Sequence, residues 1–275
     1  MSTLTVRPAT AFDRLKCKVT GPRALRAEWA KMWSLRSTWI TLGVALGLLL
    51  LAGVLAASNY SPSGAAVRGP GAGAKDAVGL ALSGIDFAQL AIGVLGVLIA
   101  AGEYSTGMIR STLAAVPSRL PVLWSKVAAF GLVATAVATV GAFAAFLGGA
   151  HFLSGDAISL SLSSGGVLRS LLGAGLYLGL VGVFAVALGT LVRSIAGGIG
   201  LLVATLMLLP VLTGLLPSGL GNDISPYLPG NAGGSIFALH QASNTLSPGA
   251  GLAVFAGWVA LALAGAAWRL KRADT

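Results

Sequence analysis

Two histidines, one cysteine and eight carboxylates are the first places to look in this 275-residue chain for acid–base, thiol or metal chemistry. Their spacing favours none of these. His151 and His240 have no HExxH pattern and no Cys/His companions at ligand spacing. Cys17, in RLKC, has no partner for a disulfide and no CxxC context, and reads as a free thiol. No GxSxG occurs. Two stretches come near a nucleotide-binding motif and fall short. GPGAGAKD (69–76) has Ala74 where the glycine before the lysine belongs and Asp76 where a hydroxyl belongs; LSSGG (162–166) lies, like the first, on the side assigned below to the outside. No catalytic residue, resident cofactor or metal site is therefore expected, and ATP hydrolysis by this chain alone is not.

The remaining chemistry is electrostatic, and it gathers in two segments. PRALRAEWAKMWSLRSTW (22–39) opens with a proline suited to a helix start. On a helical wheel Leu25, Trp29, Met32, Trp33, Leu35 and Trp39 share one arc, while Arg23, Arg26 and Lys31 lie off it. Arg36 breaks the pattern but can snorkel. This fits an amphipathic helix over 22–38 lying on the membrane surface, with Glu28, Trp29, Lys31, Trp33 and Arg36 at headgroup level, and equally a plain aromatic belt with positive-inside charges. The second segment, GEYSTGMIRSTLAAVPSRLPVLWSK (102–126), mixes Glu103, Arg110, Arg119 and Lys126 with Met108, Ile109 and Leu113, and is broken by Gly107 and Pro117. That apolar content suits a short helix presented to a partner rather than a solvated loop. Glu103 is open to pairing with Arg110 or to a place near a headgroup.

The elements that carry these segments follow from composition. The chain is 56% hydrophobic and 9% charged, with a mean hydropathy of +0.87, where soluble domains carry roughly 25% charge. Six apolar runs are long enough to cross a bilayer: Trp39–Ala57, Leu80–Ala101, Val127–Ala150, Val167–Thr190, Ile195–Leu216 and Ala250–Trp268. They are continuous rather than alternating, which favours helices over barrel strands. An all-α polytopic membrane protein is expected. Residues 1–21 would form a basic, flexible cytoplasmic arm, 22–38 the interfacial helix, 39–268 the six-helix membrane domain and 269–275 a cytoplasmic tail. The stretch before the first run is longer than a usual leader, so that run is read as a retained span.

Of the 18 Lys and Arg, fifteen fall on one side of this topology and three (Arg68, Lys75, Arg169) on the other. The fifteen mark the cytoplasmic side and put both termini there. The net charge of +10 is thus a topology signal, not a nucleic-acid footprint. Gly43–Gly47 and Gly175–Gly179 are GxxxG pairs, open to either a seam between two copies or packing within one bundle. Pro210 should kink the fifth span. Asp86 is the one charge that comes close to a span interior, and it sits near an outer end. An ion-coupled carrier would need more.

EWAKMWSLRSTW followed by a long span, then EYSTGMIRSTLAAVPSR after the second span, resembles the membrane subunits of bacterial type-2 ABC transporters. ALGTLVRSIAGGIG (187–200) and YLPGNAGG (227–234) fit the same pattern. The resemblance runs from about Arg26 onward and implies an exporter (efflux) permease of the bacterial cell membrane. It would work as a homodimer, each copy bound to a separate cytoplasmic ATP-binding subunit that holds the ATP. It implies that Glu103, Tyr104, Gly107, Met108, Ile109 and Arg110 form the coupling segment, and that the surface helix docks the same subunit. Tyr227, Pro229, Asn231 and Gly233 would belong to short external or re-entrant helices. Ser105 departs from the polar or basic residue of many relatives, and residues 1–25 have no counterpart. The alternatives are a membrane anchor or regulator that transports nothing, and a stand-alone carrier.

Overall fold

The computed structural model describes residues 21–60, 76–115, 119–153, 158–215 and 217–272, with residues 110, 113–115 and 218 described by their backbone alone. The predicted basic arm, Cys17, Pro117 and all of GPGAGAKD except Asp76 lie outside the described residues. Every regular element described is helical.

α1 (Gly21–Ser34) ends at Leu35, whose extended backbone lets the chain turn into α2 (Arg36–Ser58). The predicted surface helix is therefore shorter than 22–38. Arg36 and Thr38 belong to the first span instead, because the break at Leu35 separates them from α1. A short α3 (Ala77–Ala81), capped by the Asp76 carboxylate on the Gly79 amide at 2.7 Å, leads into α4 (Ile85–Ser105). α5 (Met108–Ala115) follows at once. α6 (Leu120–Phe152) and α7 (Val167–Val192) come next, and α8 (Ile195–Thr213) after a two-residue turn. Two short helices, α9 (Ser218–Ile224) and α10 (Pro229–Phe237), precede α11 (Pro248–Arg272). α2, α4, α6, α7, α8 and α11 are each long and apolar enough to span a membrane. The chain is a multi-pass membrane protein, as the apolar runs predict.

α7 is the hub. It packs against α6 on one side, α4 on another and α11 on a third, while α2 bridges α4 and α6. Accordingly 78% of its apolar window is buried, against 17% for α8, whose Leu201, Leu208, Val211 and Leu212 face outward. Without a hydrophobic drive between helices in lipid, close approach must come from small side chains. Gly175 and Gly179 supply it: a Cβ at either would collide with Thr139 or Thr135 of α6. Of the two readings of that pair, packing within one bundle holds. Gly43 and Gly47 have open space before them on the outward face of α2.

In α8 the turn over Ala204–Leu208 widens to a π-helix just before Pro210. Proline lacks an N–H and its ring presses on the carbonyl four residues back, here Leu206, and the wider turn relieves that clash. Gly230 of α10 abuts the same Leu206 carbonyl.

The two ends of the bundle differ. α1, α5, the start of α6 and the last turns of α4, α7 and α11 share one end: Arg119 donates to the Leu270 carbonyl at 3.3 Å, and Arg269 donates to the Leu191 carbonyl. This is the basic end. α6 has 33 residues, about 50 Å of helix against a hydrocarbon core of about 30 Å. The surplus lets its first turns, with Lys126, reach beyond the apolar slab into the basic end. α3, α9 and α10 cluster at the opposite end.

Candidate functional site

α1 presents its faces the other way round from a surface helix of a soluble protein. Leu25, Trp29, Trp33 and Leu35 are exposed on the outside of the bundle, while Ala24, Glu28 and Met32 are buried against it. The outward arc continues as a row of rings, with Trp29 to Trp33 centroids 6.3 Å apart and Trp33 to Trp39 centroids 4.6 Å apart. Aromatic rings of this kind favour the membrane–water interface. The inward face carries Glu28, with Lys31 at its edge, while Arg23 and Arg26 are exposed.

That charge is met by charge. Glu28 Oε2 accepts from Lys126 Nζ at 2.8 Å, and Glu28 Oε1 from Lys31 Nζ at 2.8 Å. Glu103 Oε1 accepts from both lysines, at 2.8 Å from Lys126 and 3.0 Å from Lys31. Two carboxylates and two ammonium groups thus form a closed, charge-balanced ring joining α1, the last turn of α4 and the second turn of α6. Glu28, Glu103 and Lys126 are each 5% exposed. Burial would push the Glu28 carboxyl up, but Lys126 and then Lys31 outweigh it and hold it below its ordinary range. Burial would push Lys31 down, but Glu28 and Glu103 hold its ammonium above its ordinary range. Buried ions are tolerated only when each has a close partner, so the ring fixes where α1 sits. The sequence offered Arg110 or a headgroup to Glu103; its partners are Lys31 and Lys126, brought close by the packing of α1 and α6.

The α4–α5 junction hangs directly from this ring. Tyr104 follows Glu103, Gly107 turns the chain with φ +74, and α5 begins at Met108. The left-handed backbone at Gly107 is the reason for a glycine there. Met108 is exposed at the tip, whereas Ile109 is buried with Val122, Leu123, Ala266 and Leu270. The Arg110 backbone lies in α5, and its side chain lies outside the described residues. A cavity of about 20 Å³, room for about one water, sits under Ile109 between Glu103, Tyr104, Lys126 and Thr190. Among the described residues Glu103 Oε2 is buried without a hydrogen-bonding partner, and Arg193 Nε and Nη2 reach no carboxylate or carbonyl. Arg193 lies over the Tyr104 ring, its guanidinium carbon 5.0 Å from the centroid.

The segment predicted to be external lies at the opposite end. Pro229 and Gly233 are buried in α10, Tyr227 is exposed, and the Asn231 amide donates to the Ser225 carbonyl and hydroxyl, both at 2.8 Å. Gly233 lies flat on the ring of Tyr177 in α7, where any side chain would collide. The Tyr177 hydroxyl donates to Gln89 Oε1, and Gln89 Nε2 donates to Asp86 at 3.1 Å. Nothing in the sequence marks this buried Tyr177–Gln89 pair, because each residue is a neutral group within a long apolar run. His240 meets Asp76 at 3.1 Å, and His151 lies in the last turn of α6. Among the described residues no three potential metal ligands come together.

Fold and site together define a multi-pass, all-helical membrane protein with an ion-paired surface helix at one end and a glycine-packed short helix at the other. No protein-family model and no curated protein matches the chain.

Proposed function

We propose that this chain is the permease subunit of an ATP-driven exporter of the type-2 ABC class, working as a homodimer with separate cytoplasmic ATPase subunits in a bacterial cell membrane. The observation that carries the reading is the junction at the basic end. The two segments that resemble the permeases, EWAKMWSLRSTW and EYSTGMIRSTLAAVPSR, are far apart in sequence yet meet through Glu28, Lys31, Glu103 and Lys126. A force applied at Met108 or Arg110 would travel through Gly107 to Glu103 and from there to α1 and α6 together. Such a unit converts a push from a partner into movement of several spans. On this reading the basic end faces the cytoplasm, as the positive-inside count requires. An apolar path through the spans would suit lipids or amphipathic molecules.

A native pull-down tests this. The tagged protein, extracted in mild detergent, should bring down a phosphate-loop ATPase in about equal amount, identified by mass spectrometry. Recovery without any ATPase, from membranes that express the protein, would favour an anchor or stand-alone carrier. With the complex in hand, Arg110→Glu should abolish most of the stimulation of ATPase activity while the protein still inserts in the membrane. Unchanged stimulation would remove Arg110 from the coupling segment.

A further inference from the structure

The ring at the basic end is complete in charge but not in hydrogen bonds. Glu103 places both lysines on one oxygen, Oε1, and leaves Oε2 buried and unpartnered against the cavity under Ile109. Across that cavity stands Thr190, and one turn further along α7 is Arg193. Arg193 is held in a left-handed conformation (φ 61) by the bond from its N–H to the Gly189 carbonyl at 2.9 Å, a backbone that side chains other than glycine seldom adopt. Among the described residues its buried Nε and Nη2 reach no carboxylate or carbonyl, and the guanidinium bears on the neutral Tyr104 side chain instead. A native fold seldom leaves a buried carboxylate oxygen and two buried guanidinium donors unsatisfied within one small region. The simplest account is that these groups are partners in a second arrangement.

We propose that Arg193 is the alternate cation for Glu103. When α1 moves away and takes Lys31 with it, Arg193 swings from the Tyr104 ring into the cavity and donates to Glu103 Oε2. Glu103 then keeps two cations in either arrangement, first Lys31 with Lys126 and then Arg193 with Lys126. Release of α1 does not strand a buried carboxylate, which would otherwise make release prohibitive. Lys31 is suited to leave, being the most exposed member of the ring, with a third of its side chain accessible. Arg193 already lies over the ring of Tyr104, which lines the cavity beside Glu103. The exchange concerns this chain alone and goes beyond the permease reading. Should that reading fail, the exchange stands as a device for freeing the surface helix.

The test is a mutant cycle read by thermal unfolding of the purified protein in detergent, with no partner present. Arg193→Gln should lower the melting temperature little in the wild-type background. In Lys31→Met, where Glu103 has already lost one cation, the same substitution should cost at least twice as many degrees. In Lys31→Met with Glu103→Gln, the carboxylate is gone and the excess should vanish. If Lys31→Met/Arg193→Gln gives no folded protein while both single variants do, that is the same excess in extreme form. Losses that add within error across all three backgrounds would overturn the exchange. So would a large loss from Arg193→Gln alone, since it would make Arg193 a fixed part of the present arrangement.

Discussion

Two short helices lean on this bundle, one at each end, and they are held by opposite means. α1 is fixed by two charges, Glu28 and Lys31, whose partners Glu103 and Lys126 lie on α4 and α6. α10 is fixed by the absence of side chains: Gly233 on the Tyr177 ring and Gly230 on the Leu206 carbonyl, with Gly251 of α11 against Ser235. Charge gives an attachment of long reach that can be exchanged or released, because each ion needs a partner but not one particular partner. Glycine gives an attachment that depends on shape, and no nearby arrangement satisfies it equally. The difference suits the role proposed for the basic end, a movable junction where force arrives.

The comparison can be strained hardest at its charged half. Lys126→Met leaves Glu28 and Glu103 buried with only Lys31, a third of whose side chain is exposed, between them. It should cost about 3–5 kcal/mol, as removal of one member of a buried ion network does, measured by thermal or denaturant unfolding in detergent. A loss under about 1 kcal/mol, the value of a surface pair, would mean that water reaches the ring. Gly233→Leu attacks the other half by forcing a side chain into the Tyr177 ring. It should cost about 1–3 kcal/mol, and α10 should become accessible to protease while α1 does not. Tyr177→Phe removes only the hydroxyl and leaves Gln89 Oε1 without its donor. About 1 kcal/mol is expected, since hydrogen bonds within membranes average below that.

The subtlest test uses pH. The Glu28 carboxyl is held below its ordinary value of 4.5, so its contribution is complete above that value and fades as pH falls through the depressed one. The Lys31 ammonium is held above its ordinary 10.5, so its contribution is complete below that value and fades as pH rises through the raised one. Tryptophan emission from the α1 row should therefore stay constant between these limits and change outside them. A transition near pH 7 would contradict the assignment.

Much of this architecture is legible in the order of residues. The six spans are visible because a bilayer demands long apolar runs. α1 and α5 are visible as short amphipathic pieces bounded by Pro22, Gly107 and Pro117. What the order of residues hides is partnership. Glu103 and Lys126 lie 23 residues apart on different helices, and Glu28 and Lys126 lie 98 apart; nothing local links them. The burial of Glu28 against the bundle is also hidden, because a helical wheel finds the apolar arc without saying what covers the opposite face. Tyr177 and Gln89 escape for a related reason: each is unremarked in its own apolar run, and only the close approach of α4 to α7 makes them a pair.

The central claim is that the four-charge ring holds α1 to the α4–α5 junction. Spin labels at Ala30 and Ser105, both exposed, would report this directly by pulsed electron–electron distance measurement in lipid nanodiscs. The wild-type background should give one narrow distance distribution. Lys126→Met should broaden it and shift it to longer distances, while labels at Ile224 and Gln241, at the opposite end, stay unchanged. An unaltered narrow distribution in Lys126→Met would show that lipid contact alone positions α1, and the account of the basic end would fail.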